Sequence, residues 1–441
     1  METPHEHALF QILNAFLRGL PDPDRFKRKR DDGVWTPELT AFALLIMSLE
    51  GSGIGYGSIL SMFHMGRADL LHRKSHESSF CRARRKLTQA MIDAAWKAMR
   101  SCCLELFEDL HPCIHGRRLV GIDGVWINTR RSKALFRALR KRKRGRPPKN
   151  FNGQPQMLVV ALVDVLTHTP IAWEYVRPGS GERSAAEDLL RHLDHRTILL
   201  ADRGFPSRRI LDILKGSGIK FIMRMTDGKT AFREVQEFCE TNGKDRKIML
   251  RTGAGKKAGS IKARLITGHP QPNHPNKSED WLLVTNLQRC RRWQKRIVLD
   301  LYHERWGIEV FFRELKTILG ADNFHAHTLE GVLQELTFSM LAATLISCAE
   351  IMARTVEAEA RPKWSDTTQK RANRVTLRTI VLMAILKDPR ACDVAELLDE
   401  ELGIAWRRAR KRRPGRSAPR ICRSFYGKWR QGFRNKSKRA A

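Results

Sequence analysis

Several features are missing from this sequence, and each absence removes a class of function. The nine cysteines, at 81, 102, 103, 113, 239, 290, 348, 392 and 422, form no C-x-x-C pair. No histidine cluster completes a zinc site, so reduced thiols in a cytosolic protein are expected. No Ser/His/Asp or Cys/His constellation suggests a covalent nucleophile. The longest apolar run, residues 336–349, is too short and too interrupted to span a bilayer and reads as a buried helix, so no membrane partner is expected. Acidic and polar residues occur early, where a signal peptide would need an apolar core. Acids are also missing from two segments. Residues 130–149 hold eleven Lys/Arg and no Asp or Glu; residues 403–441 hold fifteen and none. Together these arms carry 26 of the net charge of +34.

A pI near 10.4 points to a polyanionic partner, most simply nucleic acid. Because the charge is concentrated in two arms, the rest of the chain is only mildly basic. Its 441 residues suffice for two to four domains. Residues 1–110 have apolar positions at helical spacing over 7–17, 38–49 and 87–106. The stretch 78–86 is expected to open the third helix. It presents Arg82, Arg84 and Arg85, candidates for facing DNA.

At Arg118 the periodicity changes. Strands are expected at 119–127, 157–165 and 170–176. A helix at 184–193, a buried strand at 197–202, a helix at 207–214 and a strand at 220–225 follow. Asp123 sits within the first strand and Asp202 ends the fourth. Three strands, then alternating helix and strand and a later helix, is the order of a ribonuclease-H-like α/β fold. The expected organisation is a helical domain over 1–110 and a catalytic core over 111–226, with the basic arm inside it. An inserted β subdomain over 227–280 and the second part of the core over 281–325 follow. The chain then has a helical region over 326–402 and a tail over 403–441, expected to lack a fixed fold until it meets DNA.

One helix, expected over 291–319, carries the most specific pattern: Tyr302, Arg305, Glu309 and Lys316, with Arg313 beside them. At about 100° per residue the first four fall on one stripe roughly 60° wide. A carboxylate among a phenol and cations suits a metal ligand placed beside phosphates. A solvated amphipathic face is the plain alternative.

The spacing Y-(2)-R-(3)-E-(6)-K resembles the signature of bacterial insertion-sequence transposases of the cut-and-paste type, which have a DDE active site. Gly121-Ile-Asp123-Gly is similar to the family's first-aspartate segment, and Asp202-Arg-Gly-Phe to its second. The resemblance covers most of residues 118–320. It implies that Asp123, Asp202 and Glu309 are the catalytic triad and hold two Mg²⁺ ions, with Mn²⁺ as substitute. Hard cations of this kind prefer carboxylate oxygen and can drive in-line phosphoryl transfer. It also implies that Tyr302, Arg305, Arg313 and Lys316 hold phosphates of the element's ends. Trp281, 21 residues before Tyr302, would stack on a flipped-out base; a core tryptophan is the alternative.

The implied activity is binding of terminal inverted repeats, cleavage, and transfer of 3′-hydroxyls to target DNA. The protein would act as a homodimer on DNA in the bacterial cytoplasm, associated with the nucleoid. The arm departs from the family pattern. Its Arg144-Gly-Arg146-Pro is the core of an AT-hook, whose arginines enter narrow A·T minor grooves. A solvated basic loop is the alternative there. Two other classes stay open. One is a ribonuclease-H-like nuclease or resolvase that cuts without joining, against which the Y-R-E-K stripe argues. The other is a non-catalytic DNA-binding protein on a decayed transposase fold, against which the intact triad argues.

Overall fold

The computed structural model describes residues 8–20, 35–51, 55–66, 77–108, 111–139, 154–226, 232–241, 243–253, 259–269, 281–355 and 374–381. The chain opens with α1 (Ala8–Arg18), α2 (Pro37–Glu50), α3 (Tyr56–Gly66), α4 (Glu77–Lys86) and α5 (Gln89–Leu106). Local chemistry sets the ends of α2. The Thr36 hydroxyl accepts the Leu39 amide, Pro37 fits the first turn, and Gly51 closes the helix at φ 72°. The expected third helix is two helices, because the chain breaks at Leu87 and Thr88.

The core follows as β1 (Arg118–Asn128), α6 (Lys133–Leu139), β2 (Gln156–Asp164), β3 (Thr169–Val176), α7 (Glu182–Leu189), β4 (Thr197–Ala201), α8 (Arg208–Ser217) and β5 (Lys220–Arg224). Then come α9 (Arg233–Glu240), β6 (Asp245–Thr252), β7 (Gly259–Gly268), β8 (Trp281–Thr285), α10 (Lys295–His303), α11 (Trp306–Thr317) and α12 (Leu329–Thr355). Residues 374–381 are also helical. One eight-stranded sheet has the order β3-β2-β1-β4-β5-β8-β7-β6. Strands β1, β2 and β3 pair antiparallel, and β1, β4 and β5 pair parallel. This mixed α/β arrangement fits the ribonuclease-H-like core. Within the segment expected as an inserted β subdomain, β6 and β7 belong to that same sheet: β8 returns antiparallel to β5, and β7 and β6 add beyond it.

The sheet separates two cores. Alternation along β1 sends Val120 and Ile122 to the face covered by α7, α8 and α9. Leu119 belongs to the other face, which packs beneath α10, α11, α12 and the N-terminal helices. By length and composition Leu329–Ile351 of α12 could cross a membrane, but 94 % of that stretch is buried inside the protein, so it is the central core helix.

Candidate active site

The register of β1 and β4 brings two acids together. Ile122 pairs with Ala201, so Asp123 and Asp202 are next in line at the C-terminal end of β4. Alternation turns both away from the Val120/Ile122 face and toward α10 and α11. After Asp202 the chain turns sharply, with Phe205 N–H donating to the Asp202 carbonyl and the Phe205 ring buried. Ser207 then caps α8.

Small residues let α11 approach. A Cβ on Gly307 would lie 2.6 Å from the Val165 carbonyl oxygen; one on Gly121 would lie 2.8 Å from Val165 Cγ1 and 3.4 Å from Ile308 Cβ. With both glycines, the helix lies directly on β1, on the side to which the two aspartates turn.

Arg305 joins the carboxylates. Its guanidinium lies 2.8 Å from Glu309 Oε1 and 3.4 Å from Asp123 Oδ2. Its side chain is 13 % exposed, against 26 % for Asp123 and 36 % for Glu309. The Tyr302 ring is buried beneath it, with the guanidinium 5.9 Å from the ring centre. Tyr302 Oη donates to Asp202 Oδ1 at 3.4 Å. Burial pushes the Asp123 carboxyl up to about 6. The Gly124 N–H, 2.8 Å away, and Arg305 pull it down, while Asp202 and Glu309 push it up. Burial also raises the Tyr302 phenol, so it stays protonated. Burial opposes the charge on Arg305, but Tyr302, Asp202, Glu309 and Asp123 outweigh it and hold the guanidinium protonated.

The expected single stripe is corrected. The helix breaks between α10 and α11, and Glu304, Arg305, Gly307 and Ile308 amides bond to the carbonyls three residues back. Tyr302 therefore belongs to α10, while Glu309, Arg313 and Lys316 belong to α11. Tyr302, Arg305 and Glu309 still converge with the two aspartates. Lys316 does not join them: Nζ donates to the Trp126 carbonyl at 2.5 Å and pairs with Asp322 at 3.4 Å. Arg313 is exposed.

Trp281, half-buried at the start of β8, sets its ring edge-on to Tyr302 at 5.1 Å and lies stacked near His303 at 6.2 Å. Arg82 and Arg85 are exposed on α4. Arg84 is a correction. It is 5 % exposed and faces inward, bonded to Glu335 at 2.8 Å, Gln334 at 3.2 Å and the Gly331 carbonyl at 2.9 Å, and to Tyr56 Oη. In that position it is not open to DNA. Arg144 and Arg146 lie outside the described residues.

Sequence reasoning missed Arg224, whose charge acts on the Tyr302 phenol. The signal was available: β5 runs parallel to β4, so its last residue lies beside the strand end that carries Asp202.

Asp123, Asp202 and Glu309 offer hard oxygen donors, and mutual repulsion in a partly buried setting is the chemistry that a divalent cation relieves. Among the described residues, no three acid, histidine or cysteine side chains are drawn close enough to enclose one ion. Arg305 is the cation between Asp123 and Glu309. The donor set fits a divalent metal in kind, with Arg305 as its competitor for two of the three acids.

Residues 115–345 match the family described as Transposase DDE domain. Transposase InsG for insertion sequence element IS4, from Escherichia coli (strain K12), is 25 % identical over 246 residues, covering 54 % of this chain and 53 % of the relative. The chain thus spans about half the length of this curated relative. A cryo-EM structure of the piggyBac transposase synaptic complex with hairpin DNA aligns over 92 % of this chain and 86 % of that chain, with 11 % identity and a TM-score of 0.46.

Proposed function

The chain belongs to the transposase DDE-domain family, and from that premise we propose that it is a cut-and-paste DNA transposase with Asp123, Asp202 and Glu309 as its catalytic acids. The single observation that carries this reading is the approach of those acids from the middle of β1, the end of the neighbouring β4 and helix α11, with Arg305 between two of them. The three carboxylates would hold two Mg²⁺ ions, with Mn²⁺ as substitute. These supply activation of a water or 3′-hydroxyl and stabilisation of the leaving oxygen.

The reaction is phosphoryl exchange. Water attacks phosphorus at the element end, the P–O3′ bond breaks, and a 3′-hydroxyl is freed. That hydroxyl then attacks a target phosphodiester and displaces a target 3′-hydroxyl. The joining step forms one phosphodiester and breaks one, so it needs no nucleotide or oxidant.

Around the acids, Arg305, Tyr302 and Arg313 would orient phosphates of the terminal inverted repeat. Lys316 would anchor phosphate further along α11, and Trp281 would stack on a base drawn out of the duplex. Arg82 and Arg85 would contact the repeat from α4. The AT-hook-like Arg144 and Arg146 would enter a minor groove of flanking or target DNA. Two copies would act together, one on each end.

The test uses a duplex bearing the inverted repeat found beside the gene. Asp123→Ala, Asp202→Ala and Glu309→Ala should each abolish Mg²⁺-dependent cleavage and joining, while binding measured in Ca²⁺ persists. A variant that cuts at near wild-type rate removes its residue from the triad. Cleavage without joining in the wild type would instead indicate a nuclease.

A further inference from the structure

A second basic surface lies away from the acids. Between β8 and α10, Arg289, Arg291, Arg292, Lys295 and Arg296 place five cations in eight residues. All but Lys295 are exposed. Arg289, Arg291 and Arg292 form no ion pair among the described residues, and Arg296 reaches Asp300 only at 3.9 Å.

The acid that lines the same groove, Asp245, is already engaged. Arg264, fully buried on β7, binds both its carboxylate oxygens at 2.6 Å. The same guanidinium donates to the Trp293 carbonyl at 2.6 Å. Arg264 therefore neutralises the one acid of this groove and staples the turn to β7 of the sheet. Trp293 packs on the core and against the His115 ring at 5.0 Å, which fixes the turn further. The result is an open groove lined by Arg289, Arg291, Lys295 and Arg296.

Its position is also defined. His115 precedes β1, whereas Asp123 follows eight residues later along it. Trp293 and the arginines next to it thus lie toward the opposite end of the sheet from the acids, on the order of 20 Å away, while Lys295 sits nearer, beside Gly268 of β7.

We infer that the 289–296 turn is a second DNA-backbone contact, engaging duplex phosphates remote from the catalytic acids without reading sequence. The inference rests on the reading above, since it takes DNA as the polyanion. Exposed, unpaired arginines on a tethered turn suit phosphate oxygens, and displacement of condensed counterions supplies the affinity. Each phosphate contact steepens the dependence of log affinity on log salt by about 0.9.

The experiment uses the full chain and a long random-sequence duplex, with affinity measured across a salt series. Arg289→Gln/Arg291→Gln/Arg292→Gln should reduce the slope by roughly two to three and weaken binding at least tenfold at moderate salt. Its melting temperature should not change. At saturating end DNA, its cleavage rate should match the wild type, because the acids are not touched. A control removes three charges from the other side of the sheet, Arg209→Gln/Lys215→Gln/Arg233→Gln. It should leave the slope near the wild-type value.

An unchanged slope in the test variant overturns the inference while leaving the transposase reading intact. An equal loss in the control also overturns it, since net charge alone would then explain the effect. A wild type that binds no DNA overturns both.

Discussion

At the scale of single residues, Asp123 is held in the candidate site at a cost to the fold. Burial, with two other carboxylates nearby, pushes the Asp123 carboxyl from its ordinary 3.8 up to about 6. The folded state therefore holds this proton more tightly than the unfolded chain does. Its contribution favours folding below the ordinary carboxylate range and is lost as pH rises through about 6. Asp123→Asn, which keeps an acceptor for the Gly124 N–H, should thus stabilise the protein by on the order of 1–3 kcal/mol at pH 8 and by little at pH 4. Thermal melts of both proteins at the two pH values check this; equal stability at pH 8 would mean that Arg305 fully compensates the charge. The three acids were legible in the sequence because each lies in a recognisable local setting. The bridging role of Arg305 was not, since its partner Asp123 is 182 residues away and only the fold brings them together. Arg84 was misread although a signal existed. Phe80, Ala83, Arg84 and Leu87 recur at helical spacing and are all buried, so the arginine lies on the apolar stripe rather than beside it.

Elements explain why that arginine is there. Helix α4 lies across the N-terminal part of α12, and Arg84 ties the two together through Glu335, Gln334 and the Gly331 carbonyl. Gln334 returns the contact by donating to the Arg84 carbonyl. Arg84→Ala should leave Glu335 buried without its cation and cost about 3–5 kcal/mol. Arg82→Ala and Arg85→Ala remove exposed charges of the same helix and should change stability by less than about 0.5 kcal/mol. They should weaken binding of the element's end instead. Denaturant melts beside binding curves separate these outcomes, and an Arg84→Ala protein as stable as wild type would show the network to be energetically idle. The break between α10 and α11 was invisible at this scale for a related reason. No proline interrupts the segment, and Glu304 and Arg305 both keep right-handed helical angles. The i→i+3 hydrogen bonds there accompany the packing of Gly307 against the Val165 carbonyl, a tertiary contact that periodicity does not encode. The sheet's strands were readable because alternation, Gly-Ile-Asp-Gly and Asp-Arg-Gly-Phe mark them locally. The joining of β6 and β7 to that same sheet was not, as it depends on β8 pairing with both neighbours.

For the whole molecule, the distribution of charge matters more than its sum. It was the most legible property of all, because counting acids and bases along the chain needs no fold. What counting could not supply is which basic segments meet the solvent unopposed; the turn at 289–296 qualifies only because buried Arg264 takes up Asp245. The arm at 140–149 and the tail at 403–441 lie outside the described residues, so a role for them in DNA binding is an expectation from the sequence. Deleting residues 403–441 removes fifteen cations and no acid. Each cation that sits on a phosphate adds about 0.9 to the salt slope, so even partial engagement of the tail gives a large effect. The truncated chain should bind random-sequence duplex with lower affinity and a clearly flatter slope. It should keep the same melting temperature and the same cleavage rate at saturating end DNA. The slope that remains after truncation should still respond to the Arg289/Arg291/Arg292 substitutions, because the two surfaces engage separate phosphates and their contributions add. Salt series on the four proteins of this cycle decide the matter: a slope unchanged by truncation would show that the tail does not contact DNA, and a combined loss well short of the sum would show that tail and turn compete for the same stretch of backbone.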